Sequence, residues 1–263
     1  MSRPDHEVYT HTHRERVLDA HGRRTAEEAA AFLLAHLRPG IRLLDIGCGP
    51  GSITIGLARY VSPGETVGID QAEEALQAAR KRAADQSMPH VRFEKADVYE
   101  LPFGDDEFDV VYAHQLLQHL ADPVAALIEV RRVLRPGGYV AIRDSDYGTM
   151  THHPHEPMLD VWLERYHRIA RANGGEPDAG RRLMEWVRAA GFEHLHATTS
   201  TWLFATPEER RQWAELWAGR PLRSRERLSA EDTSIREAFK RWAEHPDGWF
   251  SFIHGEVLAR KAN

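Results

Sequence analysis

A short apolar run, Arg42-Leu43-Leu44-Asp45-Ile46, ends in Gly47-Cys48-Gly49-Pro50-Gly51, with glycine at three alternate positions. A helical pattern follows at once, from Ser52 to Tyr60. Strand, glycine turn and helix in that order is how an α/β protein brings a nucleotide-like ligand against bare backbone. Glycine reaches positive φ without strain, and without Cβ it lets a ligand approach closely. The spacing is G-x-G-x-G, not the dinucleotide pattern G-x-G-x-x-G, and Asp45 stands before it inside the strand end.

The flanking segments alternate in the same manner. Thr25 and Glu28 have capping-box spacing and open a helix from Ala26 to about Leu37, stopped by Arg38-Pro39-Gly40. Thr66–Asp70 reads as a second strand ending in an acid 19 residues past Gly51. An acid there accepts hydrogen bonds from ribose hydroxyls, or it simply caps the helix that runs to about Asp85. Val91–Ala96 is a third strand with Asp97 just after it, and Phe108–Ala113 a fourth, followed by His114 and Gln115. Asp122-Pro123 opens a helix with proline at its first position, where the missing donor is harmless. That helix stops at Leu134-Arg135-Pro136-Gly137-Gly138, and Tyr139–Arg143 is a fifth strand. Such alternation argues for βαβ crossovers and a parallel sheet.

Composition narrows the function. At 263 residues the chain can form one large α/β domain or a core with a cap. A net charge of -6 offers no basic excess for nucleic acid. Cys48 is the only cysteine, so no disulfide framework exists. No apolar run reaches membrane-span length and the N-terminus has no leader pattern, so a cytoplasmic protein is expected.

Five motifs then occur in order: Leu44–Gly51, Gly68-Ile69-Asp70, Ala96-Asp97 with Leu101-Pro102-Phe103, Phe108–Val111, and Leu134–Gly138. Together they resemble the class I S-adenosylmethionine-dependent methyltransferases, of the UbiE-like small-molecule group. The resemblance is strong over about residues 25–145 and looser at Tyr9–Arg24 and Asp178–Phe192. It implies a Rossmann-like α/β fold: a seven-stranded, mostly parallel sheet in the order 3-2-1-4-5-7-6, helices on both faces, and a helical lid. A helix over Ala179–Ala190, strand 6 over His194–Leu203 and an antiparallel strand 7 over Trp249–Ala259 complete it. The whole of 1–263 is then one domain, with an arm and helix at 1–40, a cofactor core at 41–145, and lid insertions at 146–177 and 206–246.

The resemblance also implies roles. Gly47, Gly49 and Gly51 line S-adenosylmethionine with backbone. Asp45 favours its amino group, and Asp70 takes the ribose hydroxyls beside Gln71. Asp97 accepts from the adenine amine, with the Val98 amide donating to the ring. His114 and Gln115 stand at the methionine moiety and face the acceptor. Tyr9, Cys48 and Ala96 join the cofactor contacts, Cys48 as a small turn residue and not as a nucleophile.

Methyl transfer needs positioning and, for an acceptor that loses a proton, a general base; histidine suits that role near neutral pH. His119, His13 and His11 are the candidates. His119 follows strand 4; alternatively it only packs at the start of the next helix. Residues 1–22 form either a loose arm or a flap over the ligand. Tyr147, Trp162, Tyr166, Trp213, Trp217 and Trp242 lie in the insertions, as lid core or as an aromatic-lined pocket. In His152-His153-Pro154-His155 the proline breaks helical pairing and no matching acid cluster is evident, so a surface loop without metal is expected.

The expected reaction is O- or N-methylation of a small-molecule acceptor by a monomer or homodimer. C-methylation, a non-methylating cyclase on the same scaffold, a binding protein without turnover, and a NAD-dependent oxidoreductase are the alternatives. The last calls for G-x-G-x-x-G and no acid at Asp97.

Overall fold

Strand β1 (Leu43–Ile46) is buried at every position, which its near-continuous apolar sequence requires of a parallel strand covered on both faces. It lies between β2 (Thr66–Asp70) and β4 (Phe108–His114), parallel to both. β3 (Val91–Lys95) extends the sheet beyond β2, and β5 (Leu134–His153) beyond β4, again in parallel. β7 (Trp249–Arg260) is antiparallel to β5 and to β6 (Glu193–Phe204). The order is β3-β2-β1-β4-β5-β7-β6, as expected. The computed structural model describes residues 22–218 and 229–263.

Nine α-helices are seen among the described residues. They are α1 (Ala26–Ala29), α2 (Ala31–Leu34), α3 (Ser52–Val61), α4 (Glu73–Asp85), α5 (Pro123–Val133), α6 (Pro157–Ala172), α7 (Leu183–Ala189), α8 (Pro207–Ala218) and α9 (Ala230–Glu244). One face of the sheet buries its aliphatic side chains with α5 and α7, the other with α1, α2 and α3. No helix among the described residues is long and apolar enough to cross a membrane.

Three expected elements come out differently. The single helix over 26–37 is broken at Ala30, whose φ is -131°. The Tyr112 hydroxyl, reaching from β4, donates to the Ala29 carbonyl at 2.7 Å and satisfies an acceptor at the break. β5 runs ten residues past the expected Arg143 because it outlasts β4 and continues against antiparallel β7, pairing His153 with Trp249. The expected helix over 179–190 begins as a 3-10 turn, Ala179–Arg182, before α7. Here Gly180 is pressed onto Gly255 of β7; a Cβ on Gly255 would sit 2.0 Å from the Gly180 carbonyl oxygen.

A second core lies beyond the carboxyl ends of the strands. Trp162 and Tyr166 of α6, Trp213 and Trp217 of α8, Phe239 and Trp242 of α9, and Phe250 and Phe252 of β7 pack together. Trp162 meets Trp217 edge to face at 4.7 Å, and Phe204 stacks on Phe250 at 4.5 Å. Burying each such ring contributes about 2–3 kcal/mol, with a further increment from the ring geometry. Buried Arg210 ties α8 to the end of α9, donating to the carbonyls of Ala205, Ala243, His245 and Gly248.

Candidate active site

At the carboxyl ends of β1, β2 and β4 the sheet opens into a cavity of about 210 Å³. Its first wall is the glycine turn. Gly47, Gly49 and Gly51 have φ of +70°, +52° and +75°. A Cβ on Gly49 would meet nothing within 4 Å, so it would project into open volume. On Gly51 it would strike Ala79 and Phe93 at 2.8 Å. Gly51 therefore starts α3 and packs on the core; it is not part of the cavity wall.

Asp70 is held at both oxygens. Gly49 N–H donates to Oδ2 and Ala72 N–H to Oδ1, each at 2.9 Å. Ala72 precedes α4, so the acid secures the helix start and the glycine turn together. Asp70 thus secures the helix start and also lines the cavity. Asp45 is buried beneath the turn and accepts from the Thr54 hydroxyl at 2.5 Å. Burial, together with the neighbouring Asp70 charge, raises its pKa to about 7 despite that bond. Burial pushes the Cys48 thiol well above its ordinary value, which agrees with a turn residue.

Gln71, Ala96, Val98, His114 and Gln115 also line the cavity. Asp97 does not; its Oδ1 accepts from the Tyr99 amide at 3.0 Å and shapes the turn that presents Val98. Gln115, at φ +51°, donates to His254 Nε2 at 2.9 Å. His254 is buried on β7 and its pKa is driven down by burial and by Arg143 and Arg24.

His119 lines the cavity from the 3-10 turn Leu117–His119. Its Nε2 lies 3.2 Å from the Gln118 side-chain nitrogen, while Gln118 Oε1 accepts from Ser145 Oγ at 2.5 Å. Buried Asp144 anchors the turn by accepting from the Leu117 amide at 3.0 Å. Burial raises the Asp144 pKa to about 8. Tyr9, His11 and His13 lie outside the described residues.

The opposite wall is aromatic: Tyr147, Trp202, Trp213, Trp217 and Phe252. Of the insertion tryptophans, Trp213 and Trp217 reach the cavity, whereas Trp162 and Trp242 are core. Sequence reasoning missed Arg24, Gln118, Trp202 and Phe252. Trp202 and Phe252 sit in alternating strand segments, and that alternation marks a half-exposed face without saying what occupies it. Arg24 precedes the capping box and carries no pattern of its own.

The surface histidines differ from expectation in one respect. The first turn of α6 brings Asp160 to His152 and His155, so that one donor atom from each lies within 4.8 Å of the others. His152 Nε2 already accepts from the Glu156 amide at 3.1 Å.

A methyltransferase-domain family model matches residues 37–191, more than half of the chain. An uncharacterised methyltransferase of Schizosaccharomyces pombe is 37% identical over 99% of both chains. The chain belongs to the class I S-adenosylmethionine-dependent methyltransferases. It is an enzyme of that family, which sets aside the nicotinamide oxidoreductase alternative. Among solved structures, the Bacillus subtilis YcgJ protein has the same fold, with a TM-score of 0.63 at 20% identity, covering 89% of this chain and 98% of that one. A phosphoethanolamine N-methyltransferase of Haemonchus contortus, in complex with S-adenosyl-L-methionine, gives a TM-score of 0.61 at 20% identity, covering 90% of this chain and 53% of that one.

The residues present fit the family's cofactor. The open volume beside Gly49 is a cradle that any side chain would fill. Asp70 is a pre-aligned acceptor, and Asp45 is an acid poised between its charged and neutral forms.

Proposed function

We propose that this methyltransferase acts on a small aromatic acceptor, at an oxygen or a nitrogen. The observation that carries the reading is continuity: the wall formed by Trp202, Trp213, Trp217, Tyr147 and Phe252 belongs to the same cavity as the glycine turn and Asp70. S-adenosylmethionine supplies the methyl group together with its own leaving group, so the protein's task is to bind, orient and exclude water.

Gly47 and Gly49 offer bare backbone to the cofactor, Asp70 accepts from its ribose hydroxyls, and Asp45 attracts its amino group. Ala96 and Val98 flank the adenosine, and His114 and Gln115 stand between cofactor and acceptor. The aromatic wall holds the acceptor ring, and the second core keeps that wall rigid. His119 takes the acceptor proton. To do so its Nε2 gives up the Gln118 contact, and Asp144 holds the turn in place meanwhile.

The test is formation of S-adenosylhomocysteine with matched panels of phenols, anilines and aliphatic alcohols. Turnover confined to the aromatic members is expected; turnover only on aliphatic members overturns the reading. With an active acceptor, His119→Gln should lower the single-turnover rate by about 10²–10⁴ and leave cofactor affinity unchanged. An unaltered rate and pH profile would make His119 a packing residue.

A further inference from the structure

The cavity is electrically lopsided. Among the described residues that line it, the carboxylates are Asp45 and Asp70, both at the cofactor end. Among the described residues, the aromatic end is lined by the Arg24 guanidinium and by no carboxylate. The Arg24 guanidinium lies 5.0 Å from the centre of the Trp202 ring, and both residues line the cavity. Behind the wall, the Arg143 guanidinium is also 5.0 Å from the Trp202 ring and is fully buried. Its Nε donates to Ser200 Oγ at 3.0 Å and to Glu256 Oε1 at 3.3 Å. Its two terminal nitrogens, Nη1 and Nη2, have no hydrogen-bond partner among the described residues. Glu256, the ion-pair partner of Arg143, also accepts from the Thr198 hydroxyl at 2.7 Å.

A wall with low-dielectric aromatic sides, a guanidinium beside it and donor groups behind it concentrates an anion. It also repels a protonated amine. We propose that the acceptor is an aromatic carboxylate, its ring on Trp202 and its carboxylate toward Arg24 and Arg143, while the hydroxyl or amine that is methylated is a separate group and gives its proton to His119. This names the substrate class within the aromatic-acceptor reading and rests on it. His254 is in keeping with the same field: it faces Trp202 at 4.3 Å and accepts from Gln115, as a neutral imidazole can.

The probes are naphthoate and naphthamide, matched in size and differing in charge. Binding to the full-length enzyme saturated with S-adenosylhomocysteine is measured by calorimetry and by tryptophan fluorescence. Naphthoate should bind about tenfold tighter than naphthamide, the scale of one hydrogen bond to a charged group. Arg24→Gln should erase that preference, Arg24→Lys should retain most of it, and affinity for S-adenosylhomocysteine should not change in either. Equal binding of the two probes overturns the anion assignment and leaves the aromatic-acceptor reading standing. If neither binds, the aromatic reading falls as well. If Arg24→Gln instead weakens S-adenosylhomocysteine binding and preserves the preference for naphthoate, Arg24 serves the cofactor's carboxylate and the proposal is overturned.

Discussion

The two ends of the cavity are built by different means. The proposed cofactor end is made of backbone and short acids at the ends of adjacent strands: the turn after β1, Asp70 at the end of β2, and Ala96 and Val98 after β3. The proposed acceptor end is made of large side chains drawn from the approach to α1, from β5, β6, α8 and β7. At the first end, position comes from strand pairing, which cannot drift without breaking the ladder. At the second, position comes from how aromatic rings pack in a separate core, which tolerates exchange of one ring for another. One end can therefore stay constant while the other is remodelled for a new acceptor.

The sharpest way to break this contrast is at Asp70. Asp70→Ala removes the proposed ribose acceptor and also frees the Gly49 and Ala72 amides. Affinity for S-adenosylhomocysteine should fall by about 1.5–3 kcal/mol, roughly 10–150-fold. Calorimetry on the folded variant decides it, and binding of an aromatic probe to the other end should be unaltered. An unchanged cofactor affinity would remove Asp70 from the site.

The converse change is Trp202→Leu, with a smaller expected effect. Trp202 lines the acceptor end and is only partly buried, so leucine keeps the strand and loses the ring. The KM for an aromatic acceptor should rise about tenfold, from the lost ring contacts, while S-adenosylhomocysteine affinity stays within about twofold. Equal loss at both ends would mean that the two walls are one mechanical unit and not two.

The same contrast explains what could be read from the residues alone. The glycine turn, Asp70 and the alternation of strands and helices are local in sequence, and the sheet order followed from them once five motifs stood at family spacing. Gly51 and Asp97 belong to those motifs, and the packing of one against Phe93 and the turn bond of the other are contacts that motif spacing does not record. Trp202 and Arg24 meet through a contact between segments far apart in the chain, and no periodicity encodes such a meeting. Trp162 and Trp217 have the same local pattern, and only the packing of α6 on α8 sends one to the core and the other to the cavity wall as well.

The smallest effect is expected at Asp45, and it probes how charge is set at the cofactor end. Its pKa of about 7 means that the carboxyl is largely protonated below neutrality and ionised above. A ligand ammonium favours the ionised form, so binding expels a proton whenever Asp45 starts protonated. Affinity for S-adenosylhomocysteine should therefore be level above pH ~7.5 and decline as the pH falls below about 7. Asp45→Asn has no proton to lose, so its affinity should be flat with pH, about fivefold weaker than wild type at pH ~8 and converging with it near pH ~6. The sign for stability is opposite. A folded pKa above the ordinary carboxyl value means the native state holds a proton that the unfolded chain releases, so wild type loses stability as pH rises from about 4 to about 7. Asp45→Asn, which can still accept from Thr54, should melt no lower than wild type at pH ~8. Weaker binding without a lower Tm then isolates the charge itself, and a wild-type affinity that ignores pH between about 6 and 8 would place the cofactor's amino group away from Asp45.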